Sequence, residues 1–327
     1  MNGSIFGKIL DASGVEGFFG EGYPHHALLK PFGLTFKDCT FVSKTTTLDA
    51  REGNMPLEKG GIAPLELLPR CILPNFRPET FMLSLRMLRH GIMLNSVGLS
   101  GPGADALFKT GRWQARTVPF YISFMSIAPT PEQRLAETQT FIELFMDHKR
   151  EFKTTVGLQI NKSCPNIGMN PDVLIRESHE EMKIVHHAHV PTIWKFNILA
   201  PLSAIREIFR DNHNDGICIS NTLPWGTLPD QIDWVELFGS DISPLAEFGG
   251  GGLSGKPLLP LVENWIKNAR SCRIKNHINA GGGILSSKDV KTLRLAGADS
   301  CFVGSVANLR WWRMRKIIDQ AYKEFCL

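Results

Sequence analysis

Eight short runs of apolar and β-branched residues, separated by helix-like stretches, constrain this 327-residue chain more than any other feature. They cover residues 40–44, 91–95, 118–124, 156–160, 191–195, 216–220, 274–279 and 299–303. Their apolar residues run on rather than alternate, as in parallel strands covered on both faces. Helical patterns fill most of the gaps. The clearest, 131–149, opens on Pro131 and sets Leu135, Phe141, Ile142 and Phe145 on one face. Others are expected at 171–187, 202–210 and 287–296. Eight strands alternating with helices predict an α/β fold, a closed (β/α)8 TIM barrel, with a doubly wound open sheet as the alternative. No linker divides the chain, so 1–327 reads as one domain. Residues 49–77 and 222–257 are too long for plain loops and are expected to carry small accessory strands over the C-terminal face.

Composition narrows the function classes. Lysine and arginine total 36 against 32 acidic residues, a net charge of +4 that argues for neither nucleic acid nor a membrane surface. The basic stretch 310–316 reads as one face of a terminal helix. Seven cysteines show no metal-ligand spacing and suggest reduced thiols. His186, His187 and His189 lack an acidic or cysteine partner at matching spacing, so a solvated helix end is expected rather than a metal site. No run approaches the ~20 apolar residues of a membrane span, and no signal segment opens the chain. A soluble, cytoplasmic protein is expected.

Lys44, Asn95, Asn161, Lys195 and Asn221 each fall at or just past the end of one of the runs. In a barrel those ends converge on one mouth, where active sites are built. Singly, each could be an ordinary strand-end polar residue. Asn161 also opens the stretch Asn161-Lys162-Ser163-Cys164-Pro165-Asn166, a thiol between two amides. Amides can bind a planar, amide-rich ligand, and a thiolate beside them can remove a proton. Alone, the stretch could equally be a polar turn around an inert cysteine.

Two glycine turns follow the last two runs: Gly281-Gly282-Gly283 and Gly304-Ser305. Glycines let backbone N–H groups approach an anion, and barrels commonly bind phosphate with these two loops. Neither turn matches a P-loop or dinucleotide fingerprint, so a mononucleotide flavin or a phosphorylated substrate is favoured. A third glycine run, 249–252, could also approach the ligand, though its outer glycines read as a hinge before a helix.

In order along nearly the whole chain, these segments resemble the dihydroorotate dehydrogenases, FMN-dependent enzymes of pyrimidine synthesis. The resemblance rests on Ala12-Ser13-Gly14, Ser43 to Thr47, Arg51 to Asn54, Asn95 to Leu99, Asn161 to Asn166, Lys195, Ser220-Asn221-Thr222, Gly251 to Lys256 and the two phosphate turns. A cysteine in the 161–166 box is the mark of the class 1 enzymes, whereas the membrane-associated class 2 enzymes carry serine. The resemblance implies that Cys164 takes the C5 proton of dihydroorotate while flavin N5 takes the C6 hydride. Activity should then rise toward alkaline pH, because a free thiol has a pKa of ~8.5. It implies substrate binding by Lys44, Asn95, Val97, Gly98, Leu99, Asn161, Asn166, Asn221 and Thr222. It implies FMN binding by Ser13, Lys44, Thr45, Asn161, Lys195, Ser220, Gly252, Gly282, Gly283, Gly304 and Ser305, with no metal.

The chain departs from the family pattern in places. Lys162 stands where an apolar residue is usual; it is expected to face solvent, or, if turned inward, to lower the thiol pKa. Residues 100–103 lack a frequent asparagine, 55–58 lack a frequent arginine, and 225–238 have no clear counterpart. A flavin barrel acting on another pyrimidine or enoyl-type compound, and a flavin-free phosphate-binding barrel, remain alternatives. The electron acceptor stays open among fumarate, NAD through an iron–sulfur partner subunit, and a quinone. A homodimer is compatible with this reading.

Overall fold

The computed structural model describes residues 7–162, 171–212 and 214–326. Its strands, in chain order, are β1 Ile9–Asp11, β2 Ile72–Leu73, β3 Ile92–Asn95, β4 Phe120–Phe124, β5 Val156–Asn161, β6 Thr192–Phe196, β7 Gly216–Ile219, β8 Leu223–Pro224, β9 Gly252–Gly255, β10 Ile278–Ala280 and β11 Ser300–Val303. Seven of them form one parallel sheet in the order β1-β11-β10-β7-β6-β5-β4. The sheet is curled. Leu10, Tyr121, Ile193, Cys218 and Phe302, from five different strands, meet in one buried cluster together with Val42. The opposite face, including Ile122, Leu158, Trp194 and Ile217, packs into the main core with the helices. Burial on both faces is why these strands lack apolar alternation.

Residues 40–46 run between the two edges of this sheet. Parallel bridges join Leu10 to Thr40, Val42 to Tyr121 and Thr46 to Phe124. An open doubly wound sheet would leave both edges free; here β1 and β4 are tied to the same segment.

One expected strand sits elsewhere. The 91–95 run is β3, which pairs antiparallel with β2 and β9 in a separate four-stranded sheet of order β2-β3-β9-β8. Its apolar composition reports burial and says nothing about pairing partners. Its place in the parallel sheet belongs to β1, three residues long and too short to stand out by pattern. The accessory strands expected in 49–77 and 222–257 are β2, β8 and β9. Residues 225–238 close over the second sheet, with the Trp225 ring 4.7 Å from Trp234 and 4.8 Å from Phe238.

The helix expected at 131–149 spans Pro131–His148, where Gln133 N donates to the Thr130 hydroxyl at 3.3 Å and Gln133 caps in return. Pro171–His186, Leu202–Ile208 and Ser287–Ala296 lie close to expectation. The last helix begins inside the basic stretch, at Met314, and Arg310, ahead of it, donates to Leu88 O at 2.6 Å. Among the described residues, no helix is long and apolar enough to cross a membrane.

Candidate active site

Period-two geometry fixes which polar residues face the concave side. Ile193 belongs to the inner cluster, so Lys195, two residues on, shares its face. Asn161 pairs with Lys195 across the β5–β6 ladder and points the same way. At the C-terminal ends of the parallel strands, with the four-stranded sheet above them, lies a cavity of about 910 Å³. Lys44, Asn95, Asn161, Lys195 and Asn221 all line it, as do Val97, Gly98, Leu99 and Thr222. Asn95 arrives from the antiparallel sheet rather than from a parallel strand end. Ser13, Thr45, Ser220, Gly252, Gly282, Gly283, Gly304 and Ser305 complete the expected set of lining residues. Cys164 and Asn166 lie outside the described residues.

The polar groups are tied to one another. Asn221 Nδ2 donates to Asn161 Oδ1 at 3.4 Å, and Asn221 Oδ1 accepts from Thr222 N at 2.9 Å. Ser13 donates to Ser43 O at 3.0 Å and lies 2.8 Å from the Thr45 hydroxyl, which is 2.9 Å from that of Ser123. Lys44 Nζ donates to Ser100 O and sits 4.6 Å from the Phe18 ring centroid. Burial pushes the Lys44 ammonium down to about 7. Burial also lowers Lys195, offset in part by the Cys218 thiol, which burial itself pushes up to about 12. An anionic ligand beside these two buried lysines would favour their charged forms and be held by them.

Two glycines of the phosphate turns have no room for a side chain. A Cβ on Gly283 would lie 2.7 Å from Gly255 O, and one on Gly304 would lie 2.9 Å from Ala12 Cβ. Gly283 also has φ +85°, which L side chains rarely adopt. The third glycine run differs from expectation: Gly249, Gly250 and Gly251 line the cavity with Gly252 instead of acting as a remote hinge. This close-approach cradle, in a cavity that Lys44 and Lys195 also line, fits a planar group that carries a phosphate.

Lys162 faces neither the solvent nor the cavity. It points to the outer side of β5, where its Nζ lies 2.8 Å from Glu177 Oε1 and 2.7 Å from Glu181 Oε2, with side chains 2% exposed. Burial opposes its charge, but Glu181 and Glu177 outweigh burial and raise its pKa. The two glutamates stand four apart on helix Pro171–His186, a like-charge spacing that is unfavourable without a cation between them. That spacing was the available sequence signal. His186 also has an acidic partner hidden by sequence distance, Asp215, 2.9 Å away. Met125, Ile127, His25, Asn308 and Trp311 line the cavity with no preceding sequence signal; His25 and Asn308 are 2.7 Å apart across 283 residues.

No family model matches the chain. It is 28% identical over 229 residues to the dihydroorotate dehydrogenase B (NAD(+)) catalytic subunit of Listeria welshimeri, covering 65% of this chain and 66% of that protein. The namesake subunit of Cutibacterium acnes is 26% identical over 306 residues, covering 91% of this chain and 82% of the relative. The chain is thus similar in sequence to curated dihydroorotate dehydrogenases and shares the fold of a solved one. It matches just under two thirds of the length of the Listeria proteins. A solved dihydroorotate dehydrogenase from Eimeria tenella, in complex with ferulenol, shares the fold with a TM-score of 0.64 at 15% identity, over 97% of this chain and 80% of that one. The cavity at the strand ends is the candidate active site.

Proposed function

We propose that this protein is a (β/α)8-barrel dihydroorotate dehydrogenase that oxidises dihydroorotate to orotate in pyrimidine biosynthesis, with FMN as its cofactor. The observation that carries this reading is the meeting of Lys44, Asn95, Asn161, Lys195 and Asn221, from five separate chain segments, at one cavity with a glycine cradle. The 40–46 segment, bridged to both sheet edges, is read as the eighth stave that closes the barrel. The matched relatives' name supports the activity.

FMN, when bound, supplies the hydride acceptor. The phosphate would lie on Gly282, Gly283, Gly304 and Ser305, with Ser13, Thr45, Ser220 and Gly252 alongside. Lys195 would face the edge of the ring that becomes negative on reduction, and so favour the reduced form. Asn95, Asn161, Asn166, Asn221 and Thr222 would hold the pyrimidine amides, with Val97, Gly98 and Leu99 closing over it. Lys44 would stand opposite the substrate carboxylate. Cys164, three residues past Asn161 in sequence, would accept the C5 proton as a thiolate. Among the described thiols, Cys218, beside Lys195, is held protonated by burial and is unsuited to that step.

The relatives are named as NAD(+)-linked catalytic subunits, which favours a separate partner that passes the electrons on. The test is a steady-state assay of the purified yellow protein with dihydroorotate and fumarate, a quinone analogue, or NAD in turn. Orotate formation with any acceptor supports the activity. A protein that carries no flavin absorption after FMN loading would overturn it.

A further inference from the structure

Four buried charged side chains lie directly behind the cavity wall, and the catalytic reading uses none of them. Arg134 grips Glu177 through Nε to Oε1 at 3.0 Å and Nη2 to Oε2 at 2.6 Å. Lys162 contacts Glu177 and Glu181 at 2.8 and 2.7 Å, and the Thr138 hydroxyl donates to Glu181 Oε1 at 2.9 Å. All four are at least nine-tenths buried. Two cations balance two anions.

The cluster reaches two parts of the cavity wall. Arg134 Nη1 donates to the carbonyls of Ala128 and Pro129 at 2.9 and 3.1 Å. Glu137, one turn along the same helix, accepts from the N–H groups of Ile127 and Ala128 at 2.7 and 3.0 Å. Ile127 and Met125 line the cavity. On the other side, Lys162 follows Asn161 in β5, and its N–H donates to Lys195 O at 2.8 Å. Because successive strand residues face opposite ways, the ammonium pulls outward on the peptide that directs Asn161 inward.

Stability alone does not account for these charges. Buried ion pairs seldom outperform well-packed apolar residues of similar volume, whereas separating such a pair is strongly penalised. A balanced, desolvated cluster therefore resists displacement more than it stabilises the fold. We propose that Arg134, Lys162, Glu177 and Glu181 form a positioning clamp that fixes residues 125–129 and Asn161 in the cavity wall and thereby sets affinity for the planar substrate. This inference rests on the proposed substrate class.

The test uses the full-length, FMN-loaded protein carrying the charge-balanced pair Lys162→Met and Glu181→Gln. Orotate affinity is read from the flavin spectrum, and amide hydrogen exchange is read at residues 125–129 and 156–162 without orotate. The clamp predicts unchanged flavin content, at least tenfold faster exchange at Ile127 and Ala128, at least tenfold weaker orotate binding, and affinity within threefold of wild type for Lys162→Arg. A folded double variant with wild-type exchange and orotate affinity overturns the proposal. If that variant does not fold, Glu181→Asp, which keeps the charge and shortens the reach, is read by the same two measurements and criteria. Wild-type protein that binds flavin yet gives no orotate response would overturn the substrate reading, and the exchange measurement would still decide the clamp.

Discussion

Asn221 Nδ2 meets Asn161 Oδ1 at 3.4 Å, so the amides beyond β7 and at the end of β5 face each other across the cavity floor. Lys195 lies beside Asn161 in the β5–β6 register, with a cation next to the amide pair. One edge of a pyrimidine can exchange hydrogen bonds with such a pair, because each amide offers both a donor and an acceptor.

Removing either amide should therefore weaken turnover without removing the cofactor. Asn161→Ala and Asn221→Ala are each expected to lower kcat/KM for dihydroorotate by roughly 10- to 100-fold, about 1.4–2.7 kcal/mol. Because the two amides touch, the double variant should lose less than the product of the single losses. Steady-state kinetics on flavin-replete protein checks both statements.

Lys44 links binding to protons. Burial holds its ammonium near 7 in the ligand-free protein, so at pH 8 it is largely neutral. A carboxylate placed opposite would favour the charged form and raise that value. Orotate binding at pH 8 should thus take up close to one proton, measurable by calorimetry in buffers of different ionisation enthalpy. Lys44→Met should abolish most of the uptake. The sign for the ligand-free fold is the reverse of a stabilising lysine. Below about 7 the full cost of burying the ammonium is present, and stability should rise from there toward the unfolded value of ~10.4.

Lys195→Met should shift the flavin. With the buried cation gone, the reduced cofactor loses its electrostatic partner. The two-electron potential should fall by roughly 30–60 mV, about 1.4–2.8 kcal/mol, or FMN should bind more weakly. Potentiometric titration with dye standards and an FMN binding isotherm together check this, and wild-type values for both would remove Lys195 from the flavin edge.

The cradle should not tolerate a methyl group. Gly283→Ala places a Cβ 2.7 Å from a backbone carbonyl at a φ of +85°. Strain of about 1–2 kcal/mol from the backbone conformation, plus the overlap, predicts a lower Tm and much reduced FMN content on purification. Flavin-to-protein absorbance ratios give the second quantity directly.

Much of this arrangement was legible in the sequence because strand-end polar residues and glycine turns are local signals. Lys44, Asn161, Lys195 and Asn221 needed only the positions of the strand ends. Pairing was not legible: the 91–95 run is as apolar as the parallel strands, yet β3 hydrogen-bonds to β9, far along the chain. The three-residue β1 carried too little pattern to be found. Lys162 was misplaced for a related reason. Strand alternation puts it on the outer face, but only the packing of helix Pro171–His186 turns that position into a buried ion-pair site rather than a solvated one. His25 and Asn308 illustrate the same limit, since their proximity is a property of the closed fold.

Anaerobic mixing of the FMN-loaded protein with dihydroorotate tests the central claim most directly. Bleaching of the flavin bands with one orotate formed per flavin, and a rate that rises with pH and falls by several orders of magnitude in Cys164→Ala, is the predicted result. A flavin that stays oxidised in the presence of excess dihydroorotate would contradict the account.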